Sequence, residues 1–217
     1  MKEATKVSVP VINRLPRYHR YLQQLMQEGL VRISSKELSV RMGLTASQIR
    51  QDLNCFGGFG QQGYGYNIAQ LYTEIGNILG LNHTEKAILI GAGNLGRAIA
   101  THTRFHDQGF DLIGVFDSSD SVVGSVIAGQ TVRNSSTLER FCRDNAPVIA
   151  ILCVPGDAAP ELVTMLIACG IKGFWNFTHY DILHDHNDVS VENVHLSDSL
   201  MTLRYQVKKY ENEEDPS

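Results

Sequence analysis

Three glycines in Gly91-Ala92-Gly93-Asn94-Leu95-Gly96 stand at the spacing of a phosphate-cradling turn. The string follows an apolar run, Ala87–Ile90, and opens a helical pattern, the context that such a turn requires. The first glycine allows a tight turn, the second lets a pyrophosphate approach the backbone, and the third permits close helix–strand packing. An anion then rests on a helix N-terminus, where free amides and the helix dipole favour negative charge. Asp117 ends the next apolar run, 21 residues after Gly96, where a carboxylate accepts hydrogen bonds from an adenosine ribose. Ser118-Ser119 follow it instead of an arginine, which favours NAD(H) over NADP(H). Glycines that serve the turn alone, with no ligand, are the alternative.

A second set of residues has the chemistry to read DNA. Ser47, Arg50, Gln51 and Asn54 fall at i, i+3, i+4 and i+7, a helical stripe made only of hydrogen-bonding side chains. Ala46, Ile49, Leu53 and Phe56 fall on the other side as an apolar stripe that can pack inward. A recognition helix needs this division, because base edges in the major groove are read by donors and acceptors. An ordinary amphipathic surface helix is the alternative, although such helices more often carry Glu and Lys outside. Directly after it, Phe56 to Tyr66 interleaves glycines with aromatics and suits a tight β-hairpin, the wing of a winged-helix domain. Its glycines let the backbone approach a phosphate closely.

Catalytic chemistry finds no comparable arrangement. His102, His106, His179 and Cys153 are the candidate groups, and none pairs with a substrate-orienting arginine. His179, His184 and His186 with Asp181 and Asp185 could ligate a metal, but the polarity of a loop explains them equally well. Neither catalysis nor a metal is assigned.

Composition sets the bounds. The 217 residues, 43% hydrophobic and 19% charged, suffice for one or two globular domains with real cores. No run of 18 apolar residues occurs, and Met1 to Lys6 lacks the apolar stretch of a secretory signal. Cys55, Cys142, Cys153 and Cys169 show no CxxC spacing, so reduced thiols in a cytoplasm are expected. Net charge is −4 overall, but residues 1–80 carry nine Lys and Arg against five Asp and Glu. Residues 81–217 carry ten against eighteen. A basic front and an acidic rear suggest that only the front meets a polyanion.

Elements must hold these groups in place. Leu15, Tyr18, Leu22, Leu25 and Met26 predict a first helix that stops near Gly29, with Pro16 in its first turn. Ser34 to Glu37 and Thr45 to Gln48 read as two capping boxes around a break at Gly43, a helix-turn-helix pattern. Ile68 to Leu79 predicts one more helix ending at Gly80, and Leu81 to Thr84 a domain boundary. Beyond it, apolar runs at Ala87–Ile90, Leu112–Phe116, Val148–Val154 and Ile171–Phe177 alternate with helical patterns, Asp157–Cys169 among them, and imply a parallel sheet. A last helix, Ser197–Tyr210, aligns Leu200, Leu203, Val207 and Tyr210 along one side.

A winged helix joined to a dinucleotide fold resembles the Rex family of redox-sensing repressors. The resemblance covers nearly the whole chain. It runs through Arg14-Leu15-Pro16, Ile33 to Leu38, Gln48-Ile49-Arg50, Asp52-Leu53 and the glycine-rich wing. It continues through Gly91 to Gly96, Phe116-Asp117, Val154-Pro155, Ala168 to Ile171 and Asn176-Phe177. It implies a homodimer that binds double-stranded operator DNA when NADH is scarce, lets go when NADH binds, and exchanges its final helix between subunits. The expected fold is thus α/β: a winged-helix DNA-binding domain over 1–80, a Rossmann-like NAD(H)-binding domain over 84–195, and a swapped dimerisation helix with its tail over 196–217. Arg14, Arg17, Ser47, Gln48, Arg50, Gln51, Asn54 and the wing's Gly60, Gln62 and Gly63 are expected at DNA. By the same resemblance Phe105, Val154, Pro155, Asn176, Phe177 and Thr178 line the nicotinamide end of the cofactor. A dehydrogenase with an appended helical domain and a CoA-binding module are the rival readings.

Several residues depart from the family's pattern. Gln51 stands where a lysine is common, and Gln62 where the wing usually has an arginine. His102 replaces a usual tyrosine and His195 an acidic residue, both of which take part in the family's contact between subunits. Ser119 and Val122 replace acidic and basic residues after Asp117.

Overall fold

The structure, a computed structural model, describes residues 7–56, 60–61 and 64–214. The chain divides into two compact units, Met1–His83 and Thr84–Ser217.

In the first unit, helix α1 spans Val9–Gln27. It begins well before Pro16, which lies inside the helix instead of in its first turn. The periodicity extends one turn further back, through buried Val11, and Pro10 supplies the first-turn proline. Pro16 is tolerated because it faces solvent. Strand β1 (Arg32–Ile33) leads into α2 (Ser35–Met42). The α2 capping box is complete: the Glu37 amide donates to Ser34 Oγ at 3.1 Å, and the Ser34 amide to Glu37 Oε2 at 2.8 Å. Gly43, at φ 63°, turns the chain in the left-handed region that ends α2. Helix α3 (Ala46–Asn54) has only half a box, because the Gln48 amide N–H bonds Thr45 Oγ1 but the Gln48 side chain turns elsewhere.

Strands β2 (Gly60–Gln61) and β3 (Gly65–Asn67) pair antiparallel, and β1 adds to the other edge of β3. A side chain at Gly65, where φ is +70°, would sit 2.6 Å from the Ile33 carbonyl, so glycine permits that pairing. Helix α4 (Ile68–Ile78) closes a core that includes Leu15, Tyr18, Leu22, Leu38, Ile49 and Leu71.

The second unit is a seven-stranded sheet. In chain order it comprises β4 (Glu85–Ile90), α5 (Asn94–His102), β5 (Phe110–Asp117), β6 (Val126–Ile127), β7 (Gln130–Asn134), α6 (Leu138–Asn145) and β8 (Ile149–Leu152). There follow α7 (Ala159–Ala168), β9 (Gly173–Asn176), α8 (Ile182–Asp185), β10 (Ser190–Asn193) and α9 (Leu196–Glu214). Strand order is β10-β9-β8-β4-β5-β7-β6, parallel except where β6 pairs β7. Along β4, Ala87 and Leu89 enter one buried cluster and Ile88 and Ile90 the other, so the strand is covered on both faces. Strand order reverses at β4, between β5 and β8, and the crevice beyond their carboxyl ends is where such sheets bind ligands.

Helix α9 leaves its apolar residues in solvent: Leu196, Leu200, Met201, Leu203, Tyr205 and Val207 are all exposed. The side chain of Tyr210 lies outside the described residues.

Candidate cofactor and nucleic-acid sites

The turn after β4 is built by close backbone approaches. Gly91 has φ +94°, and a Cβ there would stand 2.3 Å from the Cys153 carbonyl. A Cβ at Gly96 would stand 1.8 Å from the Gly91 carbonyl. Gly93 differs, because a Cβ there would meet nothing within 4 Å. Two glycines are therefore demanded by the protein itself, while the third borders open space at the N-cap of α5. No side chain caps that helix, so its first amides are free for an anion. Asn94 and Leu95 are exposed beside them. The arrangement fits a dinucleotide pyrophosphate.

Asp117 lies at the end of β5 and already holds the turn. Its Oδ2 accepts from the Ala92 amide at 2.6 Å, and its Oδ1 from the Ser119 amide at 2.8 Å. Each oxygen keeps a second lone pair for a hydroxyl such as a ribose supplies.

At the ends of β8 and β9, Val154 is half-buried and Pro155 exposed. Phe105 is buried in the apolar cluster that also takes in Cys153 and Phe177. The Phe177 ring meets Trp175 edge-on at 4.8 Å. Asn176 and Thr178 are buried, and their side chains are spent within the protein. Asn176 Nδ2 donates to the Tyr180 carbonyl at 2.9 Å and to Asn193 Oδ1 at 2.8 Å. Its Oδ1 accepts from the Thr178 amide at 3.1 Å and the Thr178 hydroxyl at 2.7 Å. With both hydrogens and both lone pairs of the amide engaged, Asn176 shapes the loop and has no capacity left for a ligand. The Thr178 carbonyl faces His195 Nε2 at 3.2 Å, and the rings of His195 and His179 lie 5.5 Å apart. Asn193 and His195 thus brace this loop, a role without any signal in residue spacing.

Burial pushes the Cys153 thiol up to about 12 and the Cys142 thiol to about 11, so both stay protonated and unsuited to attack. Among the described residues, no three His, Cys, Asp or Glu side chains converge on a point that could hold a metal.

In the first unit, Ser47, Arg50, Gln51 and Asn54 are all exposed on α3, and Arg50 Nη1 donates to Ser35 Oγ at 3.0 Å. The opposite side holds more than apolar residues. Asp52 is fully buried, and its carboxylate accepts from Arg14 Nε and Nη2 at 2.7 Å each. It also accepts from the Tyr18 hydroxyl at 2.9 Å and Gln48 Nε2 at 2.8 Å. Burial works to raise the Asp52 pKa, but the bonds from Arg14, Gln48 and Tyr18 outweigh it and hold it below the usual aspartate range. The Tyr18 hydroxyl is pushed up by burial and by Asp52.

Three of the residues expected at DNA have partners within the protein. Arg14 and Gln48 turn toward Asp52 because a buried carboxylate demands donors. Arg17 donates to the Met42 carbonyl and lies over the Tyr21 ring, 5.8 Å from its centre. Gly60 pairs with Tyr66 in the hairpin, while Gln62 and Gly63 lie outside the described residues.

Comparison with known proteins completes the picture. Residues 6–54 match the family described as "Putative DNA-binding protein N-terminus", and residues 82–180 the one described as "CoA binding domain". The chain is 53% identical over 211 residues to the redox-sensing transcriptional repressor Rex of Thermoanaerobacter pseudethanolicus, covering 97% of this chain and 94% of that protein. It is 51% identical to the Rex of Clostridium perfringens, covering 94% of this chain and 96% of that one. Among solved structures, it matches RSP in complex with β-NAD+ and operator DNA, with TM-score 0.88, 52% identity and coverage of 97% and 96%. It also matches RSP in complex with β-NADH, with TM-score 0.87, 49% identity and coverage of 97% and 98%. A winged helix ahead of a parallel sheet with a dinucleotide turn, shared at half identity over nearly the full length, places the chain in the Rex family of redox-sensing transcriptional repressors.

Proposed function

We propose that residues 1–80 bind operator DNA and residues 84–195 bind NAD(H), so that NADH releases the operator and the chain reports the NADH/NAD+ ratio. The observation that carries this reading is the pairing of two surfaces on one chain. One is the exposed Ser47, Arg50, Gln51 and Asn54 face of α3, and the other is the open crevice at Gly93 under the free amides of α5. Two relatives with solved structures are RSP in complex with β-NAD+ and operator DNA and RSP in complex with β-NADH.

Gly91 to Gly96 hold the pyrophosphate and Asp117 the ribose, parts common to both oxidation states. Discrimination between a neutral reduced ring and a cationic oxidised one falls to the Phe105, Val154, Pro155 and Phe177 side, where Asn176 and Thr178 shape the loop that carries Phe177. Bases are read by Ser47, Arg50, Gln51 and Asn54, with the wing approaching the backbone of the duplex. Residues 196–217 serve a homodimer, since a second subunit would cover the exposed strip of α9. The protein works in the cytoplasm, consistent with free cysteines and with no described helix long and apolar enough to cross a membrane.

Two ligands oppose each other only if each favours a different state, and the effect is reciprocal, typically about 1–3 kcal/mol. A titration of operator binding without cofactor, with NAD+ and with NADH tests the reading. Equal affinity in all three conditions refutes it. Substrate-dependent turnover of NADH would favour a dehydrogenase, and displacement of NADH by CoA would favour a CoA-binding module.

A further inference from the structure

We infer that Asp52 fixes the rotation of α3, and that Arg14, Tyr18 and Gln48 are positioning residues for DNA reading instead of DNA contacts. The inference rests on the proposal that α3 reads operator bases.

The geometry is one-sided and directional. Arg14 and Tyr18 project from one face of α1, four residues apart, and Asp52 projects from α3 toward both. Three of the four bonds on the carboxylate come from α1 and cross between the helices. The fourth, from Gln48, lies one turn along α3 itself and holds the carboxylate plane. Each carboxylate oxygen accepts two bonds, one of them from Arg14's planar fork.

Apolar contacts alone would not set this rotation. Ile49 and Leu53 pack α3 on the core, but dispersion contacts are non-directional and tolerate a small roll. A roll of about 10° moves a side-chain tip by about 1 Å at an outer helix radius of ~5–6 Å. A productive constellation must be held within about 0.5 Å, so such a roll is enough to spoil a base contact. Asp52 directly follows Arg50 and Gln51, and the fork on its carboxylate is what resists the roll.

Arg14 separates this role from a phosphate contact. Lysine keeps the charge that neutralises a backbone phosphate, whereas a bidentate fork on a buried carboxylate does not survive the exchange. The full-length protein is titrated with its operator and with an unrelated duplex, for the parent, Arg14→Lys, Arg14→Ala and Asp52→Asn. Thermal melting and NADH titration serve as controls for folding. The inference expects Arg14→Lys to lose at least about tenfold in operator affinity while binding the unrelated duplex like the parent. It also expects Arg50→Ala to cost less in the Arg14→Lys background than in the parent, because a displaced Arg50 has less to lose; a purely structural defect would leave the two effects additive. The inference is overturned if Arg14→Lys matches the parent while Arg14→Ala weakens both duplexes and lowers the salt dependence. Should Asp52→Asn fail to fold, Arg14→Lys still decides the matter. A parent that shows no preference for operator over unrelated duplex refutes the reading of α3 itself, a separate result.

Discussion

Substituting the three glycines of the nucleotide turn one at a time separates what the fold needs from what the ligand needs. Alanine at Gly91 must adopt φ +94° and places a methyl 2.3 Å from the Cys153 carbonyl. A left-handed non-glycine residue costs about 1–3 kcal/mol, before any overlap is counted. Alanine at Gly96 places a methyl 1.8 Å from the Gly91 carbonyl, and overpacking of that kind costs about 1–3 kcal/mol or more. Neither carbonyl can yield freely, because both are backbone: Gly91 lies in the turn itself, and Cys153 lies just beyond β8, where its amide bonds the Ile90 carbonyl at 2.8 Å. Gly93 has φ −68° and ψ −167°, which alanine adopts without strain, and the added methyl meets no protein atom within 4 Å. Its effect on stability should stay within about 1 kcal/mol, the worse N-cap being partly offset by a stiffer unfolded chain.

Binding should show the reverse order of interest. A methyl at Gly93 occupies the space assigned to the pyrophosphate, and an overlap of about 1–3 kcal/mol weakens affinity roughly 5–150-fold. NADH and NAD+ should weaken together, since both carry the same pyrophosphate. Urea unfolding measures the first effect, and calorimetric titration with each cofactor the second. On operator DNA, Gly93→Ala should stay bound at NADH concentrations that release the parent. Unchanged NADH affinity in Gly93→Ala would remove the pyrophosphate from this turn. Parent-like stability in Gly91→Ala and Gly96→Ala would refute the argument from close approach.

Asp117→Ala should weaken both cofactors in parallel, through the lost ribose acceptor and the lost bonds to the Ala92 and Ser119 amides; selective loss of one cofactor in titration would contradict this. A chain ending before Ser197 should become monomeric or aggregate in sedimentation, and an intact dimer would take α9 out of the interface. Acid should weaken the first unit through Asp52, whose folded pKa is lowered: its contribution is full above the ordinary aspartate value and is lost as pH falls through the folded value. Unfolding of parent and Asp52→Asn across that window should show a steeper acid slope in the parent, and equal slopes would contradict the assignment.

How much could be read in advance depends on the range of the interaction. The box at Ser34 and Glu37 was legible because both partners lie within one helical turn. The second box was half legible: Thr45 finds its amide locally, but Gln48 chooses between Thr45 and Asp52, and Asp52 wins through a carboxylate whose other partners come from α1. Strands β4, β5, β8 and β9 announced themselves as apolar runs, whereas β1, β6, β7 and β10 did not. The two residues each of β1 and β6 carry no period, and β7 and β10 are mostly polar, so these strands show only once a neighbour offers its backbone edge.

Residue type and spacing by themselves determined that a turn at Gly91 to Gly96 leaves a strand and enters a helix, and that one side of α3 is wholly hydrogen-bonding. These are properties of three to seven neighbouring residues, set by sterics and helical period. Tertiary structure alone decided that Gly93 borders open space while Gly91 and Gly96 touch backbone. It alone decided that Asn176 is spent on Asn193 and Thr178, and that Arg14 belongs to Asp52, 38 residues away. The reason is physical: a polar side chain shows its donors and acceptors in the sequence, but which partner it meets is settled by burial, and burial is a property of the packed chain.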